Sequence, residues 1–246
     1  MRVFLGFDDT DTIDADRGTG KLARWFGYEL PEEIRLWAVV RLQLLVHDDV
    51  PYTSHNSSAC VAMDVPPSYP LNSIIERAVC HLQAHYLEGS DPGICLACDG
   101  DPGMPDLMNF GVACTLRVVT QKDALRATSG ASIHLSGHGG TNDGIIGAAA
   151  AVGLTASGWA GRFIEFGKLR DFPDTVAVSD LEDKHIRIVS LEKNANGPAP
   201  SDQVITHGWL RPRLLGNQAV LMVKCIGEGV WEVVSGKKPK QKVSEQ

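Results

Sequence analysis

Two short segments of this sequence concentrate groups able to handle a phosphate. The first is Asp8-Asp9-Thr10-Asp11-Thr12, where three carboxylates fall within four residues after an apolar stretch, residues 2–7. Carboxylates that close repel one another unless a cation or well-placed amides compensate. Mg²⁺ suits the cluster, since it takes one or two carboxylates and completes its shell with phosphate oxygens and waters. The bland alternative is a solvated acidic loop. The second segment is residues 136–144, S-G-H-G-G-T-N-D-G, running into a small, apolar stretch, residues 145–154. Glycines let backbone N–H groups approach an anion, and a helix N-terminus adds a favourable partial charge. Taken alone, such a loop is a tight turn with Asn142 or Asp143 as N-cap. Taken together, the segments form two halves of a magnesium–nucleotide site. Asp8, Asp9 and Asp11 are its metal-holding and catalytic candidates, and Thr10, His138, Gly139, Gly140, Asn142, Asp143 and Gly144 line the phosphate side.

Other chemistry-bearing spacings are weaker. Gly18-Thr19-Gly20-Lys21-Leu22 has the look of a P-loop end, but Ala15 stands where the first glycine belongs and Leu22 where Ser or Thr belongs. Gly18, Gly20 and Lys21 are nonetheless kept as nucleotide-contacting candidates. Asp9-Thr10-Asp11-Thr12-Ile13 fits the D-x-D-x-[TVI] start of haloacid-dehalogenase-type phosphatases, with Asp9 as nucleophile and Asp11 as acid/base. No later lysine plus acidic pair follows in suitable order. Ser136, His138 and Asp143 have hydrolase residue types but sit too close together for a triad drawn from separate loops. His81 and His85 are spaced for a shared metal on a helix, yet lack a third ligand and read as surface residues. Of six cysteines, Cys95 and Cys98 alone form a CxxC pair, and no second pair completes a zinc site.

The elements that must position these groups follow from periodicity. Residues 2–7 read as a buried strand leading into the aspartates, taken here as the carboxyl end of a parallel strand. Residues 18–30 form a glycine-initiated helix, 36–46 and 57–65 two strands, and 71–87 an amphipathic helix. Residues 88–106, rich in Gly, Pro and Asp, read as loop. A short helix (121–128) and a short strand (131–135) precede the glycine loop. Beyond about residue 158, short alternating stretches separated by Gly, Pro and Asn give a β-rich texture, and Trp159, Trp209 and Trp231 read as packing residues. The expected fold is α/β, a mixed sheet with flanking helices. Its divisions are residues 1–170, a β-rich portion at 171–236 and a basic tail at 237–246.

Net charge is −7 over 246 residues, but the last ten hold four lysines and one glutamate, so the rest carries −10. That body lacks the electrostatic footprint of a nucleic-acid binder. No run of about 18 apolar residues predicts a membrane span, and no signal peptide is legible at the N-terminus. A cytoplasmic protein is expected.

Four landmarks then point to one family. Residues 1–11 (M-R-V-F-L-G-F-D-D-T-D) resemble the strand and GIDDTDS signature of the archaeal agmatinylcytidine synthetases, which modify an isoleucine tRNA. Val40-Arg41-Leu42 with residues 50–59 resembles their RLN…IPYKTRGNGA segment, Asp91-Pro92-Gly93 their NPG, and residues 144–153 their GLIGALAAVG helix. The resemblance covers roughly residues 1–170 and implies an ATP-binding, kinase-like domain. It would place Asp8, Asp9 and Asp11 on Mg²⁺, Gly139, Gly140 and Gly144 along the phosphates, and Tyr52, Ser54 and His55 on a turn near the site. Departures matter too. Thr53 and His55 stand where the family has lysine and arginine, leaving Lys21 or Arg24 to compensate. The family's OB-fold and paired-cysteine zinc ribbon have no counterpart. The implied protein is therefore an ATP–Mg²⁺ phosphotransferase or ATPase with a small-molecule acceptor, for which tRNA would require a partner subunit. A non-catalytic nucleotide sensor is the alternative.

Overall fold

The computed structural model describes residues 1–50, 55–130, 132–194 and 196–234. Two units divide the chain, Met1–Phe166 and Gly167–Gln246. In the first, the order is β1 (Arg2–Asp8), α1 (Thr19–Tyr28), β2 (Arg35–Gln43), β3 (Ser57–Asp64), α2 (Leu71–His85), β4 (Gly93–Cys98), α3 (Met104–Leu116), α4 (Gln121–Ala127), β5 (His134–Gly137), α5 (Gly144–Ala156) and β6 (Arg162–Glu165). Its strands lie in the order β5-β4-β1-β3-β2-β6, with each neighbouring pair antiparallel. The first six elements thus make a split βαβ arrangement of ferredoxin-like type, β1α1β2β3α2β4 in the order 4-1-3-2.

Strand β1 is covered on both faces, which explains why its sequence is apolar without alternation. On one face Val3, Leu5 and Phe7 join Leu22, Ala23 and Phe26 of α1 and Ile74, Ala78 and Leu82 of α2 in a single core. On the other face lies α5, built from Gly, Ala, Ile, Val, Leu and Thr. The small side chains have a mechanical purpose. Gly6 sits against the Ala148 carbonyl, and a Cβ there would fall far inside van der Waals contact with that backbone. Gly153 meets the Leu107 carbonyl of α3 in the same manner, and Gly111 meets Leu154. The helix is therefore let down onto the sheet at backbone range, and its N-terminus arrives beside the end of β1.

Two expectations are corrected here. Strand β1 is antiparallel to both of its neighbours, so the aspartates do not end a strand within a parallel sheet. Residues 88–106 are not all loop, because Gly93–Cys98 is a buried strand next to β1. Glycine, proline and aspartate crowd its flanks and masked its short apolar run.

In the second unit the elements are β7 (Thr175–Ala177), α6 (Val178–Asp183), β8 (Ile186–Ser190), β9 (Gln203–Ile205), β10 (Arg213–Leu215), β11 (Gln218–Gly227) and β12 (Val230–Val233). The path is β10-β11-β12-β9-β7, with β8 parallel to β11 and β9 parallel to β12. The strand pairing is thus mixed and the C-terminal portion β-rich, within an α/β protein. Trp231 is buried, its indole N–H donating to Asp202 at 2.8 Å. Trp159 and Trp209 are not core residues, at 69% and 42% exposed. Arg211 stacks on the Trp209 ring at 4.2 Å. No helix among the described residues is long and apolar enough to cross a membrane. The tail read at 237–246 lies outside the described residues.

Close packing at Gly6 makes a prediction. Gly6→Ala should lower stability by about 3 kcal/mol, the upper end for overpacking, since backbone rather than a flexible side chain must yield. Denaturant unfolding would measure it, and an unchanged midpoint would contradict the packing described.

Candidate functional site

Asp8 closes β1 on the α5 side, and Gly147 of that helix leaves the space its carboxylate fills; a Cβ at 147 would overlap Asp8 Oδ2. Asp9 then turns the chain sharply in the left-handed region, φ +50°, a conformation costly outside glycine, asparagine and aspartate. Thr10 is buried. Its hydroxyl donates to Thr19 Oγ1 at 3.1 Å at the start of α1, and its carbonyl accepts the Leu87 N–H at 3.1 Å. Asp11 faces Gly18, the residue preceding α1, where a Cβ would stand 2.9 Å from Asp11 Oδ2.

The glycine loop is fastened to the same corner by Asp91, a residue sequence reasoning did not place in the site. Its carbonyl accepts the Gly144 N–H at 3.0 Å, its carboxylate accepts the Thr141 hydroxyl, and its own N–H donates to the Asp9 carboxylate. Gly140 has φ +54° and lies so close to the Asp91 carboxylate that no Cβ fits. Asn142 also holds a positive φ, +67°, with its N–H on the Gly139 carbonyl at 3.1 Å. Asp143 occupies the N-cap position of α5 without capping it. Its carboxylate instead accepts from Gln121 Nε2 at 2.7 Å. His138 bonds through its N–H to the Pro92 carbonyl (2.8 Å) and through its ring to Ser136 Oγ (2.8 Å), which also meets His134 at 2.8 Å. Ser136 and His138 therefore touch, but Asp143 points to Gln121.

The resulting electrostatics are those of crowded, partly desolvated carboxylates. The Asp8 carboxyl is pushed up from 3.8 to about 8, mainly because the surrounding protein strips its hydration, then because Asp9 and Asp11 stand close. By surface area Asp8 is only part-buried, since it opens into a cleft. The protein packed behind it sets the direction of the shift, and cleft water tempers its size. Asp9 is raised to about 6, chiefly by desolvation. The Asp91 N–H works against that rise, while the charges of Asp91, Asp11 and Asp143 add to it. The loop expected to cradle an anion thus brings one carboxylate of its own, Asp143, and is tied to a second, Asp91. It also spends the Gly144, Ile145 and Ile146 amides on the carbonyls of Asp91, Asn142 and Asp143. The first amides of the helix are therefore engaged within the protein.

Two clefts share Asp8 and Asp9 as a common wall. One, of about 310 Å³, is lined by Leu44, Leu45, Cys114, Arg117, Val118, Gln121, Asp143, Ile146 and Gly147 among others. The other, of about 300 Å³, is lined by Asp11, Thr12, Ile13, Thr19, His55, Asn56, Ser57 and Gly89. Both are at the small end of the range for ligand sites. Arg117 is the one Arg or Lys among the described lining residues, and no motif distinguished it. Arg41 approaches the second cleft through Ser57, whose Oγ accepts its Nε–H at 3.1 Å. Lys21 and Arg24 lie elsewhere. Lys21 Nζ sits 5.1 Å over the Trp25 ring, Arg24 bonds Tyr28, and Gly20 packs toward Ile164. His55 lines the second cleft, while Tyr52 and Ser54 lie outside the described residues. Cys95 is buried and Cys98 partly so, both as free thiols whose protons burial holds more tightly.

Neither a family model nor a curated protein matches the chain. Solved structures do, among them a tRNA labelling enzyme and TiaS. A crystal structure of a "tRNA fluorescent labeling enzyme" is 25% identical with a TM-score of 0.54, covering 62% of this chain and 36% of that one. The complex of TiaS, an agmatidine synthetase acting on an isoleucine tRNA, with that tRNA, AMPCPP and agmatine is 25% identical with a TM-score of 0.50, over 62% and 36% of the two chains. The complex of TiaS with the same tRNA and ATP, at 22% identity and a TM-score of 0.53 over the same shares, bears on the fold. The family resemblance drawn from four sequence landmarks is thus met in three dimensions, over part of the chain. This chain spans about a third of the length of those proteins.

The raised Asp8 value sets a pH dependence. An acid that holds its proton more tightly when folded makes the native state progressively less stable as pH rises between its unfolded and folded values, here from about 4 to about 8. Without divalent cations, Asp8→Asn should therefore be more stable than the native sequence by ~2–4 kcal/mol at pH 9, a figure discounted for cleft water. That advantage should shrink toward pH 5, as chemical denaturation in EDTA would show.

Proposed function

We propose that the first unit binds a nucleoside triphosphate, ATP, as its magnesium complex and passes the terminal phosphoryl group to an acceptor. The observation that supports this most is the placement of Asp8 and Asp9 on the shared wall of two clefts, with Asp91 joining Asp9 to the glycine loop at Gly140. The donor set fits the metal: hard carboxylate oxygens are the partners Mg²⁺ takes together with phosphate oxygens and water. Asp8, Asp9 and Asp11 would hold it, and when bound it would supply neutralisation of phosphate charge beyond what Arg117 provides in the cleft linings. The chain's own part is positional. Asp91 ties the glycine loop to Asp9, Gly147 leaves room for Asp8, and the Thr10–Thr19 bond fixes the turn between them.

The cleft bordered by Arg117, Gln121 and the start of α5 suits the nucleotide, because it combines a guanidinium with apolar walls at Leu44, Val118 and Ile146. The cleft bordered by Asp11, His55, Asn56 and Ser57 then faces the acceptor. Phosphoryl transfer depends mostly on positioning and charge neutralisation, which these parts are able to provide. A small-molecule acceptor is favoured over tRNA by the −10 body. The phosphatase reading of Asp9 and Asp11 is not favoured, since no later lysine plus acidic pair follows its D-x-D start in suitable order.

Calorimetry with ATP and Mg²⁺ tests the site. Asp9→Asn combined with Asp11→Asn should weaken binding by about tenfold or more, since a charge-assisted contact is worth at least ~1.5 kcal/mol. Unchanged affinity would remove these residues from the site. Release of ADP only when an acceptor is supplied would mark a transferase, whereas binding without turnover would mark a sensor.

A further inference from the structure

Away from the two clefts, the C-terminal ends of α1 and α2 bring together Glu29, His81 and His85, with one potential ligand atom from each lying within 4.8 Å of the others. We propose that these three residues form a second metal site, for a Zn²⁺-type ion, that clamps α1 to α2 behind the aspartate turn.

His81 carries the case. It is buried, at 7% exposed, and both its ring nitrogens face oxygen atoms: Nε2 stands 3.1 Å from the Leu22 carbonyl and Nδ1 3.0 Å from Glu29 Oε2. A carbonyl only accepts, so Nε2 carries the proton and a neutral ring leaves the Nδ1 lone pair directed at a carboxylate. Two lone pairs at 3.0 Å need a proton or a metal ion between or beside them. A metal-bound histidine typically has this arrangement, one nitrogen on the metal and the other donating to a backbone carbonyl that fixes the tautomer. His85 lies one turn further along α2, its ring centre 4.6 Å from that of His81. Trp25 covers it at 5.3 Å. The surface reading of the histidine pair is therefore corrected for His81, and the third ligand missing from the local sequence arrives from residue 29.

Two nitrogens and a carboxylate oxygen match a Zn²⁺ site with one position left for water. Ligand atoms around tetrahedral zinc stand roughly 3.4 Å apart, so the carboxylate and the His85 ring must close in by about 1 Å. Glu29 is free to do so, its side chain being 60% exposed. The backbone on both sides is already held. Arg77 donates to the Glu29 carbonyl at 2.7 Å and Arg17 to the His85 carbonyl at 3.3 Å. Their charges disfavour a cation, and the Glu29 carboxylate offsets part of that. The same Arg17 bond, with Leu87 N–H on the Thr10 carbonyl, links the end of α2 to the aspartate turn. A metal here would brace one wall of the nucleotide site without touching the nucleotide.

The test is titration of the chelator-stripped full chain with ZnCl₂ in millimolar Mg²⁺, which keeps the aspartates occupied, and in parallel with CoCl₂. One Zn²⁺ per chain should bind and raise the melting temperature. His85→Ala and Glu29→Gln, both at accessible positions, should each weaken binding by roughly 100-fold, at least the loss that a second-shell change gives. Asp9→Asn should leave zinc binding unchanged, which separates this site from the proposed nucleotide site. Bound Co²⁺ should show tetrahedral visible bands without the near-ultraviolet sulfur band that a cysteine ligand such as exposed Cys80 would give. Absence of stoichiometric binding, indifference to both substitutions, or a sulfur band would overturn the proposal.

Discussion

Repulsion among carboxylates at the end of β1 is the interaction around which the first unit is arranged. Asp8, Asp9 and Asp11 come from one turn, while Asp91 and Asp143 come from the chain around the glycine loop, and their charges add at Asp9. Such a cluster persists in a folded protein only where the rest of the structure holds it in place. Here that is done by a backbone N–H from Asp91, a threonine pair, and a helix placed too close to move aside. Protons relieve the repulsion in the absence of a cation, with Asp8 and Asp9 both raised above the ordinary carboxylate range.

Helix α5 supplies the confinement. Its alanines and glycines bury little area each, but they allow backbone-to-backbone approach at Gly6, Gly93, Gly111 and Gly153. A helix with larger side chains would ride higher above the sheet and leave the glycine loop out of reach of Asp9. Small residues thus do here what long polar side chains do at many sites: they set the distance between two charged loops.

Much of this was visible in one dimension. The apolar run before the aspartates, the glycine loop before a small-residue helix, and the amphipathic period of α2 each reflect a local requirement, and each is present. Strand β4 was hidden because its six residues are flanked by the Gly, Pro and Asp that normally mark loops. Arg117 was hidden because an arginine beside a valine pair carries no pattern. Asp91 was read as part of a landmark but not as a site residue, since its role depends on Asp9, far away in sequence. Trp209 misled in the other direction, because a large ring is usually buried and this one is stacked with arginine in the open.

The sequence by itself determined which groups are charged, where the backbone can bend, and most of the helices and strands of the first unit, though not β4, because those properties depend on neighbours within a turn or a pleat. Only the tertiary structure decided which charges face each other. Strand order brought Asp91 to Asp9 and ran β1 antiparallel where a parallel strand was expected. Helix packing placed Glu29 beside His81, a contact across 52 residues. Such pairings depend on the energy of assembling the whole sheet and its two helical layers, and no local window of the sequence contains that information.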